Sequence, residues 1–374
     1  MSRRRLGHGC AVEMPVGPRG HMPAAVRPYS AVAGFIAYAC RMSELYPLLM
    51  QPAFDPRPWG GLDLSPIYPN HRFEEKIGEA WLTGDACRVV NGPLQGRSLE
   101  ELSSQYQREL VGATARDPSH FPLLVKFLFP HEKLSVQVHP DDEAAQRVGQ
   151  PWGKTECWYV AHARPGARIA LGLKQGATRA QLEQAIHEKR AEELLNWINI
   201  YPGEMIYVAA GTVHTLGAGA ILVETQQQSD TTYRLYDYGR PRELHLKEGL
   251  AAVKEKVASG KVIRPAPSSI NGSGSLQAQL IAAPFFTVNM FQLKGPHDFR
   301  TQDPFRKTSV QIMVAVEGCG IVEAPGAEPV MMGKGDAVVV PACIDEFRVR
   351  PQWTTEFLMS AVPDELLPEP ATRR

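Results

Sequence analysis

The sequence predicts a mainly β protein with a few short helices, and three observations point that way. The 31 prolines and 32 glycines are scattered among short β-branched runs, the punctuation of many turns. The stretch LSVQVH, residues 134–139, alternates: Leu134, Val136 and Val138 are apolar, while Ser135, Gln137 and His139 can bind polar partners. Side chains of an extended strand point to alternate faces, so one face packs while the other presents a hydroxyl, an amide and an imidazole in a row. Apolar residues recur at helical spacing in three stretches.

In chain order, the first 41 residues stand apart. They open with basic SRRRLGHG and contain an apolar run of signal-like length, SAVAGFIAYAC from Ser30 to Cys40. The Pro-rich segment between them makes the charged region too long for a leader, and no small-residue cleavage site follows. Residues 1–41 are therefore expected to be a disordered extension, with Met42 an alternative initiator. From Met42 to Asn91, LYPLLMQPAFDPRPWGG and IGEAWLTGD read as short strands broken by Pro and Gly. Trp59 and Trp81 suit a core, and Glu79 lies inside an apolar run, where a charge is costly unless partnered. SLEELSSQYQRELVGA predicts one helix, with Leu102, Tyr106 and Leu110 four apart. FPLLVKFLF is a buried strand interrupted by Lys126, an ammonium that must reach solvent or face an anion; the second reading is favoured.

Two further strands flank a Pro-Gly turn in CWYVAHARPGARIALGL. The segment beginning TRAQLEQAIHEKR has Thr178 and Gln181 at capping-box spacing and Leu182 and Ile186 on one face, a helix of about three turns covering one end of the sheet. His187 on it is expected to be exposed. A third helix is predicted from Leu246 to Val257, with Leu246, Leu250 and Val253 on one side. Residues 259–278 begin rich in Gly, Ser and Pro and are expected to link a catalytic domain, 42–258, to a C-terminal β domain, 279–374.

Composition narrows the function. Lys plus Arg (40) balance Asp plus Glu (40), so no global field favours nucleic acid or an anionic membrane, and neither is an expected partner. No apolar run reaches the ~20 residues of a spanning helix. The six cysteines form no CxxC pair, which suits reduced thiols in the cytoplasm.

One constellation carries chemistry. Gln137 and His139 lie two apart on one strand face, Glu156 follows 17 residues later and His214 another 58 on. An amide oxygen, a carboxylate and two imidazoles suit a borderline cation such as Zn²⁺, and one anionic ligand leaves the centre strongly Lewis acidic. Cys157 would point to the opposite face of its strand.

The stretches LSVQVHPDDE, GKTECWYV, GTVHTLGAGAILVETQQQSDTTYRLYDYGR, PRPWGG and IGEAW together resemble type I mannose-6-phosphate isomerase in its short bacterial form. The resemblance covers roughly Glu44 to the C-terminus. It implies a cupin jelly-roll β-sandwich in two cupin-like halves, the second without metal, and one zinc per chain held by Gln137, His139, Glu156 and His214. It further implies a catalytic Arg234, with Lys154 and Glu224 beside the substrate as alternative proton shuttles. Lys126, Ser135, Trp59 and Glu79 match cavity residues, and Ser135 with a lysine suits a phosphate clamp. Two features depart from the family: the 41-residue extension, and His131 with Glu132 in place of a small turn.

The implied reaction interconverts mannose 6-phosphate and fructose 6-phosphate through a cis-enediol(ate), in a cytoplasmic monomer or homodimer that binds a small sugar phosphate. A zinc cupin that binds a sugar phosphate without turnover is the competing reading. A two-His, one-carboxylate iron oxygenase is a further alternative, less suited to the fourth ligand Gln137.

Overall fold

In the computed structural model, residues 44–270, 272–303 and 307–373 are described. The expectations for residues 1–41 lie outside them. Among the described residues, thirteen strands precede residue 263: β1 (Leu48–Leu49), β2 (Ala53–Gly61), β3 (Ile77–Trp81), β4 (Leu123–Leu128), β5 (Val136–Val138), β6 (Glu156–Ala163), β7 (Arg168–Leu173), β8 (Leu195–Asn199), β9 (Met205–Val208), β10 (His214–Leu216), β11 (Ala220–Gln227), β12 (Tyr233–Tyr236) and β13 (Gly260–Val262). Eleven follow: β14 (Ser268–Ile270), β15 (Ser275–Ala282), β16 (Thr287–Leu293), β17 (His297–Arg300), β18 (Gln311–Glu317), β19 (Cys319–Glu323), β20 (Val330–Gly333), β21 (Ala337–Val340), β22 (Glu346–Pro351), β23 (Thr355–Ala361) and β24 (Thr372–Arg373).

The strands form four antiparallel sheets: an eight-stranded sheet in the order β2-β3-β4-β11-β6-β9-β13-β24, a five-stranded sheet β12-β5-β10-β7-β8, a seven-stranded sheet β1-β21-β18-β23-β16-β15-β14 and a four-stranded sheet β17-β22-β19-β20. The buried clusters give their stacking. Leu128, Trp158, Val160 and Leu222 meet Leu171 and Leu216 between the eight- and five-stranded sheets. The opposite face of the eight-stranded sheet, with Val125, Phe127, Tyr159 and Val223, packs on Val288, Ile312 and Leu358 of the seven-stranded sheet. A third cluster fills the space between the seven- and four-stranded sheets. The result is two double-sheet sandwiches back to back, the expected mainly β architecture.

Helices are few. In α1 (Leu99–Tyr106) Ser98 and Glu101 form a capping box. The single helix expected beyond it is broken: Gln107 takes φ +43° and α2 (Arg108–Val111) is one short turn. The cause is tertiary, because the carbonyls of Glu109, Leu110 and Val111 accept from the N–H groups of Cys343, Ala342 and Val310 instead of continuing a helix. α3 (Asp142–Arg147) is capped by Asp141, and α4 (Arg179–His187) by the expected Thr178–Gln181 box, with Leu182 and Ile186 buried and His187 exposed. Together α4 and α5 (Leu246–Ala252) cover the outer face of the five-stranded sheet. α5 is shorter than expected, since Lys254 N–H leaves it to bond Gly211 O.

The segment 259–278 carries β13, β14 and the start of β15, so part of it belongs to the sheets. Strands also cross between the halves: β1 pairs with β21, and β24 pairs with β13.

Candidate active site

Alternation along three neighbouring strands builds the site. On β4, Val125 and Phe127 face the seven-stranded sheet, leaving Lys126 and Leu128 for the other side. On β6, Cys157 and Tyr159 face away while Glu156, Trp158 and Val160 turn inward. On β11, Val223 faces away while Leu222 and Glu224 turn inward. The apolar members fill one end of the sandwich, and Lys126, Glu156 and Glu224 collect at the other. From the five-stranded sheet, Gln137 stands opposite His214 and, on its other side, opposite Arg234. These groups open on a cavity of about 210 Å³ that also exposes Arg57, Trp59, Glu79, Leu134, Lys154, Asp230, Thr232 and Arg242.

Two glycines of PRPWGG allow this closure. A Cβ on Gly60 would lie 2.3 Å from the Ile77 backbone, and one on Gly61 would lie 2.4 Å from the His131 ring. The N–H groups of His131 and Glu132 both bond the Trp59 carbonyl, at 3.0 Å, so the unusual turn residues buttress the tryptophan.

His139, Glu156 and His214 converge as a candidate metal cluster, with one ligand atom from each within 4.8 Å of the others. Glu156 Oε2 is 3.6 Å from His139 Nε2, and Oε1 is 3.5 Å from His214 Nε2. The far ring nitrogens are fixed by carbonyls: His139 Nδ1 bonds Thr231 O and His214 Nδ1 bonds Thr212 O, both at 2.9 Å. With Nδ1 donating, each Nε2 lone pair points inward. Burial holds both imidazoles neutral, pulling His214 down to about 4 and His139 well below its usual range. Among the described residues, His139 Nε2 and Glu156 Oε1 are buried without a hydrogen-bond partner, and Glu156 Oε2 has only the ion pair with Lys154 Nζ at 3.3 Å. Orphaned lone pairs of this kind are a large cost unless a cation meets them.

Gln137 lies at the rim of this cluster. Its Nε2 is 3.2 Å from His214 Nε2, while its Oε1 accepts from Ser135 Oγ at 3.1 Å. A half-turn of the amide would exchange the two ends and direct the oxygen inward. Ser135 thus supports Gln137, and Lys126 is held by Glu79 at 3.1 Å and Glu224 at 3.3 Å. The anion expected opposite Lys126 is supplied by the protein itself.

Lys154 Nζ lies 3.3 Å from Glu156 Oε2 and 3.7 Å from Glu224 Oε1, and its strap is tied down by Lys154 N–H to Pro140 O. Against the cost of burial, Lys126 and Lys154 hold the Glu224 carboxyl well below its usual range; burial and the neighbouring Glu224 push Glu156 up. Arg234 is placed differently from the lysines: Nη1 donates to Glu243 O at 2.8 Å, and Nε is buried without a partner. Burial and the neighbouring Arg242 and Arg57 lower its pKa, so three guanidiniums surround one part of the cavity. Arg242 is already clamped by both oxygens of Asp237, at 2.7 Å each.

Sequence reading brought Glu79, Lys126 and Trp59 to the cavity but missed Arg57, Asp230, Thr232 and Arg242. All but Arg242 sit inside motifs that it singled out, PRPWGG and SDTTYR; Arg242 lies two residues past the last motif.

Comparisons with known proteins give the family. Residues 50–155 match the family model of the phosphomannose isomerase type I catalytic domain. A mannose-6-phosphate isomerase of Streptococcus mutans is 34% identical over 312 residues, spanning 81% of this chain and 94% of that protein. One from Bacillus subtilis is 35% identical over 321 residues, spanning 81% and 95%. The crystal structure of the mannose 6-phosphate isomerase from Bacillus subtilis superposes with a TM-score of 0.75 at 31% identity, covering 84% of this chain and 99% of that one. A relationship of that extent means that the chain belongs to the type I mannose-6-phosphate isomerase family and has its cupin fold.

Proposed function

We propose that the chain is a zinc-dependent mannose-6-phosphate isomerase, interconverting mannose 6-phosphate and fructose 6-phosphate through a cis-enediol(ate). The observation that carries this reading is the buried His139, Glu156, His214 cluster with orphaned acceptor atoms, at the end of a cavity that also holds Lys154, Glu224 and Arg234. The donor set fits zinc: two neutral imidazoles, one carboxylate and, after its half-turn, the Gln137 amide oxygen, without thiolate. When bound, zinc supplies Lewis-acid polarisation of the substrate oxygens.

The residues do the rest. Arg234, a cavity guanidinium without a carboxylate partner among the described residues, offers a fork of donors to an anion and holds the developing enediolate. Glu224, kept ionised by Lys126 and Lys154, takes the C2 proton and returns it to C1. Lys154, 3.7 Å from Glu224, exchanges a proton with the sugar oxygens. Trp59, Trp158, Leu128 and Leu134 keep water from the reacting carbons.

Turnover of mannose 6-phosphate by the purified protein, before and after chelation and with zinc restored, tests the reading. Activity lost on chelation and regained with zinc is expected; a folded, zinc-loaded protein without turnover leaves the non-catalytic zinc cupin. Among the described residues no helix is long and apolar enough to cross a membrane. A cytoplasmic monomer or homodimer, with a catalytic domain at 42–258 and a partner domain at 279–374, belongs to the same proposal, and sedimentation checks the oligomeric state.

A further inference from the structure

Seven side chains of alternating sign cross the eight-stranded sheet on its inner side. Asp55 and Arg57 stand on β2, Glu79 on β3, Lys126 on β4, Glu224 on β11, Lys154 just before β6, and Glu156 on β6. These five strands are consecutive in the sheet. Successive separations are 2.7, 3.1, 3.1, 3.3, 3.7 and 3.3 Å. The inner members are buried, whereas the side chains of Arg57 and Asp55 keep 29% and 30% of their exposure, so this pair is the solvent end of the ladder.

Arg57 does something there that a surface ion pair does not. Asp55 and Glu79 are directly opposed across β2 and β3, an arrangement of like charges that repels. Arg57 bridges them, Nη2 to Asp55 and Nε to Glu79 Oε1. The other oxygen of Glu79 takes Trp81 Nε1 at 2.8 Å and Lys126 Nζ at 3.1 Å, so the same carboxylate that Arg57 fixes also fixes the buried ammonium. The sequence makes room for this bridge. A Cβ on Gly78 would lie 2.5 Å from Arg57 Cβ and 2.8 Å from the Trp59 ring, so the glycine of IGEAW is the seat over which Arg57 crosses β3. Asp230, on the same cavity wall, adds negative charge near Arg57.

We propose that Arg57 is a positioning residue for the isomerisation: by holding Glu79 against Asp55 it fixes Lys126, and through Lys126 the place of Glu224. Without it the Asp55–Glu79 repulsion turns Glu79 away, Lys126 loses one of its two carboxylates, and Glu224 is left to hold the ammonium alone. Arg57 therefore acts on the chemical step and not on substrate affinity. This rests on the isomerase reading, and wild-type turnover in the same assay tests that reading separately.

The experiment compares Arg57→Met, Arg57→Lys, Glu79→Gln and the Arg57→Met/Glu79→Gln double variant, in zinc-loaded full-length protein. For Arg57→Met, kcat is expected to fall about tenfold with KM changed less than about twofold and zinc content intact. Arg57→Lys, which keeps the charge, is expected to recover most of the loss. In the Glu79→Gln background, Arg57→Met is expected to add little, because the group it acts through is already altered. An unchanged kcat in Arg57→Met, a rise in KM alone, or full additivity with Glu79→Gln overturns the proposal. If Arg57→Met does not fold, Arg57→Gln replaces it in the same cycle. A wild-type protein without turnover removes the isomerase reading, and this inference with it; an active wild type with an indifferent Arg57 removes this inference alone.

Discussion

The two sandwiches have the same plan and opposite interiors. Between the seven- and four-stranded sheets, inward positions are Phe291, Phe299, Phe347, Phe357, Met313, Met332 and Met359, with Phe299 and Phe347 stacked at 4.8 Å and Phe291 and Phe357 at 5.4 Å. Between the eight- and five-stranded sheets, equivalent inward positions at one end are Lys126, Glu156, Glu224 and His214. Both fillings satisfy strand alternation. The first gains by burying apolar area, while the second must compensate each buried charge with another. One sandwich is thus filled for stability, and the other gives up that gain at one end for chemistry.

The sharpest way to break this contrast is at the metal cluster. His139→Ala should lose the bound zinc and nearly all turnover while the C-terminal sandwich stays folded, read by metal analysis and circular dichroism; full zinc occupancy would remove His139 from the ligand set. Arg234→Ala comes next, with kcat lowered about 10²–10³-fold and KM raised much less if the guanidinium acts mainly in the transition state. Steady-state kinetics decides, and an unchanged kcat would exclude it from the mechanism.

A matched pair then compares the two interiors directly. Lys126→Met leaves Glu79 and Glu224 without their shared cation, at a cost of about 3–5 kcal/mol and with loss of activity. Phe357→Ala opens a cavity of similar cost, about 3–5 kcal/mol, yet should leave kcat per folded molecule unchanged. Denaturant unfolding alongside kinetics separates them. The smallest effect is on acid stability. Burial would raise the Glu79 pKa, but Lys126 and Arg57 hold it down to about 2, below its ordinary 4.5. Its folded pKa is depressed, so its contribution is complete above pH 4.5 and is lost as pH falls from there towards 2. The difference in unfolding midpoint between wild type and Glu79→Gln should shrink across that window; a constant difference would contradict it.

Much of the catalytic half could be read from the chain because its signals are local. Alternation in LSVQVH fits the observed strand, with Val136 and Val138 buried and Gln137 on the cavity wall, and the Thr178–Gln181 spacing marks a real cap. Glu79 and Lys126 were each recognisable as a charge in an apolar run. Their pairing was not, because it depends on β3 lying beside β4, and register between strands 40 or more residues apart leaves no trace in either segment. The break at Gln107 was invisible for the same reason: it is imposed by donors from residues 310, 342 and 343.

The exchange of edge strands has a consequence for how the molecule can be made and dissected. β1, read near the start, lies at the edge of the C-terminal seven-stranded sheet, and β24, near the end, closes the edge of the catalytic sheet. During synthesis the catalytic sheet would keep a bare margin until residues 372–373 emerge, and a gene cut within 263–267 would yield two fragments, each lacking a border that the other carries. Two such fragments expressed together would be drawn to one another by their open margins, which makes this enzyme a natural candidate for a split reporter that regains isomerase turnover only when its pieces meet.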